Sequence, residues 1–200
     1  MGFMNKFLIV GLGNIGEEYA FTRHNIGFEI ADAFAVSLQK DDEKKPATKL
    51  FATDKLAMVA HSRLKGMPLV IIKPTTYMNL SGKAVNYWMQ SEKIKIENTL
   101  IITDDLALPF GTLRMKKKGS DGGHNGLTDI IATLGTTDFP RLRFGIGNEF
   151  SKGKQVNYVL GKWSNEEEKA FPERMDLAIR MIKSFISIGI DRTMSDFNNK

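Results

Sequence analysis

Residues 6–25 run KFLIVGLGNIGEEYAFTRHN. An unbroken apolar stretch, residues 7–10, leads straight into Gly11, Gly13 and Gly16. A buried strand followed by a glycine-rich turn is how a parallel α/β domain commonly begins, and G-x-G-x-x-G is also the dinucleotide-binding fingerprint. The question is which of the two the glycines serve.

A dinucleotide site needs its helix to start at the glycines, so that backbone N–H groups meet the pyrophosphate. Here EEYAFTRHN follows Gly16. It is polar, carries Glu17 and Glu18 where phosphate would sit, and has no helical apolar stripe. A convincing amphipathic helix runs only over about 25–38, with Ile26, Ile30, Phe34 and Leu38 on one face. The acidic residue expected at the end of a second strand is also missing, since that region is helix and then the charged loop KDDEKKP with Asp41 and Asp42. The glycines are therefore read as structural. Two other patterns fail their context tests. Ser62 to Lys65 fits S-x-x-K but lies at a strand end without partner motifs, and GSDGGHNG lacks the G-K-[ST] of a phosphate loop.

Working outward, strands are expected around 50–53 and 55–62, then at the buried run LVIIK. Ser81 is placed to cap a helix with Ala84, Val85, Trp88 and Met89 inward. TLIIT reads as another buried strand and TLRMK, which alternates, as a sheet-edge strand. The loop KKGSDGGHNG opens a helix carrying Leu127, Ile130, Ile131 and Leu134 inside. RLRFGIG is a further strand with basic residues on one face. A long helix is expected over 165–190, with Ser164 and Glu167 as its capping box and Met175, Ala178, Ile179, Ile182 and Phe185 as its buried stripe. Strands mixed with helices and no linker indicate one α/β domain over 1–200, built around a mostly buried sheet.

The 200 residues are 42% hydrophobic, enough for an ordinary core, and contain no apolar run long enough to span a membrane. No leader pattern is visible, and Lys6 stands where a myristoylation signal wants Ser or Thr. The absence of cysteine removes disulfides and thiolate metal sites and agrees with a cytoplasmic location. The net charge of +5 allows an anionic partner such as nucleic acid, but positions must support it.

The unusual polar residues sit at predicted strand ends. Asn14, Arg23 and His24 follow the first strand, Asn79 follows LVIIK, and Asp104 and Asp105 follow TLIIT. His124 and Asn125 lie in the glycine-rich loop. If those strands are parallel neighbours, the loops meet at one rim, where open α/β sheets bind ligands. With His24, His61 and His124 and no close pair in sequence, a zinc site is not expected. What remains is histidine as base, aspartate as its orienter, and carboxamides that hold a peptide-like substrate and polarise a carbonyl. That set suits hydrolysis by an activated water. Each residue also has a plainer reading. A loop histidine is commonly structural, Asp104 could cap a turn, Asn14 and Asn79 could be loop residues, and His61 is an ordinary strand residue.

The blocks LIVGLGNIGEEYAFTRHNIG, KPTTYMNLSGKAV, DDLALPFGTLRMKKKGSDGGHNGLTDII, RLRFGIG and VNYVLGKW together resemble bacterial peptidyl-tRNA hydrolases, in order from Phe7 to Trp163. The resemblance implies a monomeric, cytoplasmic, cofactor-free enzyme. It would cleave the ester between a peptide and the terminal ribose of tRNA. The implied fold is a single α/β domain, a mixed twisted sheet flanked by helices, with a lid-like segment at about 148–158. His24 would be the general base, Asp104 would hold it, and Asn14 would help distinguish a blocked amino group. Tyr19, Tyr77, Met78, Asn79, His124 and Asn125 would bind peptide and the tRNA 3′ end. Arg114, Lys116 and Arg143 would bind acceptor-stem phosphates. The chain departs from the family pattern at Ile15, where proline is frequent, at Tyr77, where phenylalanine is common, and at Asp121, where a neutral residue or histidine is usual. A rival reading keeps fold and basic rim as an RNA-binding module without turnover, but such a module has no need of His24, Asp104 and three asparagines together.

Overall fold

Residues 7–10 are apolar without a break because both faces of their strand are covered. In the computed structural model, which describes residues 5–39 and 50–198, β1 (Phe7–Gly11) sends Phe7 and Ile9 to one side of a sheet and Leu8 and Val10 to the other. Strand alternation combined with helices on both faces gives this pattern. After two short 3₁₀ turns, Glu17–Tyr19 and Arg23–Asn25, comes α1 (Ile26–Gln39). Then follow β2 (Ala52–Asp54), β3 (Ala57–Leu64), β4 (Met67–Pro74), α2 (Ser81–Ser91) and β5 (Thr99–Asp105). The chain continues through β6 (Leu113–Lys116), α3 (Asn125–Leu134), β7 (Arg141–Gly145) and α4 (Gln155–Val159) to α5 (Asn165–Ile188) and α6 (Ile190–Phe197).

The seven strands form one mixed sheet in the order β2-β3-β4-β1-β5-β7-β6. The inner four, β4, β1, β5 and β7, are parallel, and the antiparallel strands lie outside them. On one face Ile26, Ile30 and Phe34 of α1 and Ala178, Ile182 and Phe185 of α5 pack against Phe7, Ile9, Ile71 and Ile102. On the other, Val85 and Trp88 of α2 and Leu127 and Ile130 of α3 pack against Leu8, Val10, Val70 and Ile101. Each such large side chain contributes about 1.5–3 kcal/mol by burial. By contrast, α4 buries no side chain.

The glycines of the opening stretch serve this packing. A side chain on Gly11 would overlap the Gly27 carbonyl, and one on Gly13 would meet the Phe28 ring, so both allow α1 to lie directly on the end of β1. Gly16 takes φ 125°, a conformation closed to most L residues.

Several expectations are corrected. The first helix starts at Ile26, and Asn25 belongs to the preceding 3₁₀ turn. The two strands expected around 50–53 and 55–62 each start two residues later, at Ala52 and Ala57, and Leu50 and Phe51 pack into the core rather than into the ladder. Ser81 is not a cap: it is the first helical residue, and its Oγ donates to the Met78 carbonyl at 2.8 Å. The long C-terminal helix stops at Ile188, where Gly189 at φ 85° turns the chain into α6. Its capping box is present, with Glu167 N–H donating to Ser164 Oγ at 3.2 Å and Ser164 N–H to Glu167 Oε2 at 2.7 Å. The alternating edge strand is β6, whose exposed side is covered where Asn198 exchanges two 2.9 Å hydrogen bonds with the Met115 backbone. The charged loop KDDEKKP lies outside the described residues. Among the described residues no helix is long and apolar enough to cross a membrane.

Candidate active site

Parallel strands place the ends of β1, β4, β5 and β7 along one rim, so the loops that follow converge. The loop after β1 is self-braced. Buried Asn25 accepts from Asn14 N–H at 2.8 Å and donates to the Asn14 carbonyl at 2.9 Å. Asn14 Oδ1 accepts from Met78 N–H at 2.8 Å, which ties this loop to the one after β4. The nitrogen of the Asn14 carboxamide is then the group left to meet a ligand.

Asp104, near the end of β5, is 4% exposed. His24 Nδ1 lies 3.0 Å from each of its carboxylate oxygens, and His124 Nε2 lies 2.8 Å from Oδ1. The two imidazole centroids are 4.9 Å apart. No two histidines are close in sequence, yet the fold brings His24 and His124, a hundred positions apart, to one carboxylate. Burial opposes ionisation of Asp104, but the His124 and His24 imidazoles overcome it and hold the carboxyl well below its usual range.

The proton positions follow from the partners. His124 Nδ1 accepts from Gly126 N–H at 3.1 Å and Leu127 N–H at 3.3 Å, capping α3, so its proton is on Nε2 and points at Asp104. His24 likewise donates from Nδ1 to Asp104, which leaves its Nε2 lone pair free to accept a proton. His24, Asp104 and His124 also bring one ligand atom each within 4.8 Å of one another, the donor set a divalent ion would use. As a hydrogen-bonded trio the same atoms satisfy each other, so the arrangement is accounted for by proton chemistry alone.

These groups form the floor of a cleft of about 100 Å³ walled by Asp121 to Asn125 of the glycine-rich loop and by Gln155, Val156 and Val159 of α4. Asp121 staples that loop, accepting from Gly123 N–H and from the Thr128 hydroxyl, each at 3.0 Å; both bonds lower its pKa. Asn79 and Asn125 are exposed, Tyr77 is 59% exposed and Tyr19 is half-buried; of these four, Asn125 alone lines the cleft, and Asn14 stands outside it as well. Met78 is corrected. Its side chain is buried under α3 with the core, and what it offers the site is its backbone N–H.

On the other flank Arg114 and Lys116 are exposed on β6. Arg143, opposite Arg114 in register, is paired through Nε with Asp105 at 2.5 Å and is largely buried. The expected basic face of β7 is only half realised. Arg141 is 1% exposed, and its guanidinium donates to the Ser120 and Thr137 carbonyls, holding the glycine-rich loop in place. His61 is exposed on β3, beside Trp88 and away from this cleft. Sequence reasoning missed Asn25 as a brace and the His124–Asp104 bond. The available signals were a carboxamide next to His24 and a histidine in N-cap position.

Comparisons with known proteins follow the same lines. The model of the family described as peptidyl-tRNA hydrolase matches residues 8–200. A peptidyl-tRNA hydrolase of Phocaeicola vulgatus is 55% identical over 195 residues, which is 98% of this chain and 100% of that one. That of Porphyromonas gingivalis is 52% identical over 193 residues, 96% of this chain and 100% of that one. A crystal structure of peptidyl-tRNA hydrolase from Acinetobacter baumannii aligns with a TM-score of 0.87 at 33% identity, covering 99% of this chain and 97% of that chain.

Proposed function

The chain belongs to the peptidyl-tRNA hydrolase family, and from that premise we propose that it hydrolyses peptidyl-tRNA with His24 as general base. The carrying observation is the contact of His24 Nδ1 with both oxygens of buried Asp104 at the floor of a cleft. His24 Nε2 takes a proton from water as the oxygen attacks the ester carbonyl. Asp104 holds the ring and favours the imidazolium that forms. As the bond from the carbonyl carbon to the ribose oxygen breaks, the same proton goes to that oxygen, giving free tRNA and a peptide carboxylic acid that loses its remaining proton to solvent. Asn125, in the wall of the cleft, and Asn14 and Asn79, on the neighbouring strand-end loops, would offer carboxamides to a peptide backbone and to the polarised carbonyl, with Tyr19 and Tyr77 as further substrate contacts. An ester is activated enough for this. General-base help supplies about 10²–10⁴ and carbonyl polarisation about 10²–10³ in rate.

The tRNA end is read as lying toward β6, where Arg114 and Lys116 are open to phosphates, with Arg143 behind them. Such contacts position RNA without reading its sequence, as an enzyme serving many tRNAs requires. Action as a monomer without an obligate protein partner, and a cytoplasmic location where tRNA is used, complete this reading. The test offers N-acylated and free aminoacyl-tRNA to the native protein and to His24→Ala. We expect release from the N-acylated substrate alone, and loss of most turnover in the variant with tRNA binding retained. Undiminished hydrolysis by His24→Ala would overturn the base assignment.

A further inference from the structure

The wall of the cleft opposite the glycine-rich loop poses a physical problem. α4 is five residues long and buries no side chain, yet Gln155, Val156 and Val159 must stand at a fixed distance from His24 to define the cleft. Its only core packing is the partly buried Tyr158 and Val159, and a short helix held by so little belongs to the less stable part of a fold. His24 is similarly placed, in a three-residue 3₁₀ turn.

Two backbone contacts and one side chain, that of Arg23, join the two. Thr22 and Lys162 form an isolated antiparallel bridge, and Arg23 N–H donates to the Gly161 carbonyl at 3.0 Å. Arg23 Nη1 donates to the Lys162 carbonyl at 2.6 Å, and Nη2 to Glu167 Oε2 at 2.8 Å. Its guanidinium lies 4.5 Å from the Tyr158 ring centre and 5.4 Å from that of Trp163. Tyr158, in α4, is pinned at its other end by a 2.6 Å bond from its hydroxyl to the Ile146 carbonyl. Glu167 is the residue that completes the capping box of α5. Arg23 therefore links the base-bearing turn, α4, the segment after it and the start of α5 at once. There is little room for variation: a side chain on Gly161 would come within 3.2 Å of Nη1.

We propose that Arg23 is a positioning residue that makes the His24 turn and α4 a single rigid unit, so that the base and the facing wall of the cleft keep one spacing through the reaction. The inference rests on His24 being the base. Lysine cannot replace the fork that bridges Lys162 and Glu167 while stacking on Tyr158. A misplacement of about 1 Å at the reacting groups costs about 10²-fold in rate.

The experiment compares the native enzyme, Arg23→Lys, Arg23→Ala and His24→Ala at a temperature where thermal melting shows each to be folded. Steady-state kinetics on N-acylated aminoacyl-tRNA are paired with amide hydrogen exchange. We expect kcat to fall about tenfold in Arg23→Lys and about 10²-fold in Arg23→Ala, each more than KM rises. Exchange at residues 23, 158 and 161 should accelerate together in both. In His24→Ala those amides should stay protected while turnover is lost, which separates failure of the anchor from failure of the base. An Arg23→Ala protein with native kcat would overturn the proposal. So would a kcat loss with native exchange across α4, or acceleration in α4 alone with residue 23 still protected.

Discussion

Asp104 serves two imidazoles, and its two oxygens are not equivalent. His124 takes Oδ1 at 2.8 Å, while His24 is equidistant from both. A carboxylate can accept from both rings, whereas an amide has one oxygen and an NH₂ that must point at one of them. Asp104→Asn should therefore force one ring into the wrong tautomer at almost no change in volume. The expected result is a folded protein with kcat reduced about 10²–10⁴-fold, the range of general-base help. Near-native turnover in that variant would show that the carboxylate does not hold the base. The His24–Asp104 partnership was legible through the family resemblance, and the strand pattern allowed it, because both residues follow apolar runs whose loops meet if the strands are parallel neighbours. The His124–Asp104 bond was not. It depends on His124 capping α3, and a capping histidine looks from sequence like any other loop histidine. Met78 failed for a related reason. Its neighbours Tyr77 and Asn79 are exposed, but a 3₁₀ turn at Met78–Leu80 rotates Met78 into the core.

Elements were legible where one periodicity ran undisturbed. The alternation LRMK predicted β6 and the sides its residues take, since Leu113 and Met115 are buried while Arg114 and Lys116 face out. The same logic misjudged β7, because Arg141 answers a need of the neighbouring loop for donors rather than the face of its strand. It also overran at the C-terminus. The apolar stripe continues past Ile188, and only the conformation of Gly189 ends the helix. The exposed face of β6 carries a prediction of its own. Lys116 is exposed and Arg143 is held by Asp105, so Lys116 is the freer of the two to meet a phosphate. Lys116→Ala should weaken tRNA binding uniformly across tRNA species. It should also reduce the slope of log K against log salt by about 0.7–0.9, the release of one counterion. Binding isotherms at several salt concentrations measure this, and an unchanged slope would remove Lys116 from the phosphate contacts.

At the scale of the molecule, the α/β class followed from strands alternating with helices. The sheet order, the outer antiparallel strands and the closing of β6 by Asn198 come from contacts between distant segments that no local pattern encodes. Those contacts also bury a group the chemistry does not use. Glu29, on α1, has its Oε1 enclosed without a hydrogen-bond partner among the described residues, and Trp163 Nε1 is enclosed likewise. Burial pushes the Glu29 carboxyl up to about 7; the nearby Trp163 indole offsets part of this without a bond of ordinary geometry, and Asp32 and Glu168 add to the rise. A raised folded value means the native state holds this proton more tightly than the unfolded chain. The stabilisation is complete below the unfolded value near 4.5 and is lost as pH climbs through about 7. Over that window the native protein should lose about 3 kcal/mol from this group. Glu29→Gln keeps the shape without the titration, and comparing the two proteins cancels the other ionisable groups. Denaturant unfolding at pH 5 and pH 8 should give Glu29→Gln the flatter dependence by about that amount. Parallel losses in the two proteins would mean that Glu29 is ionised in the native state across the whole range.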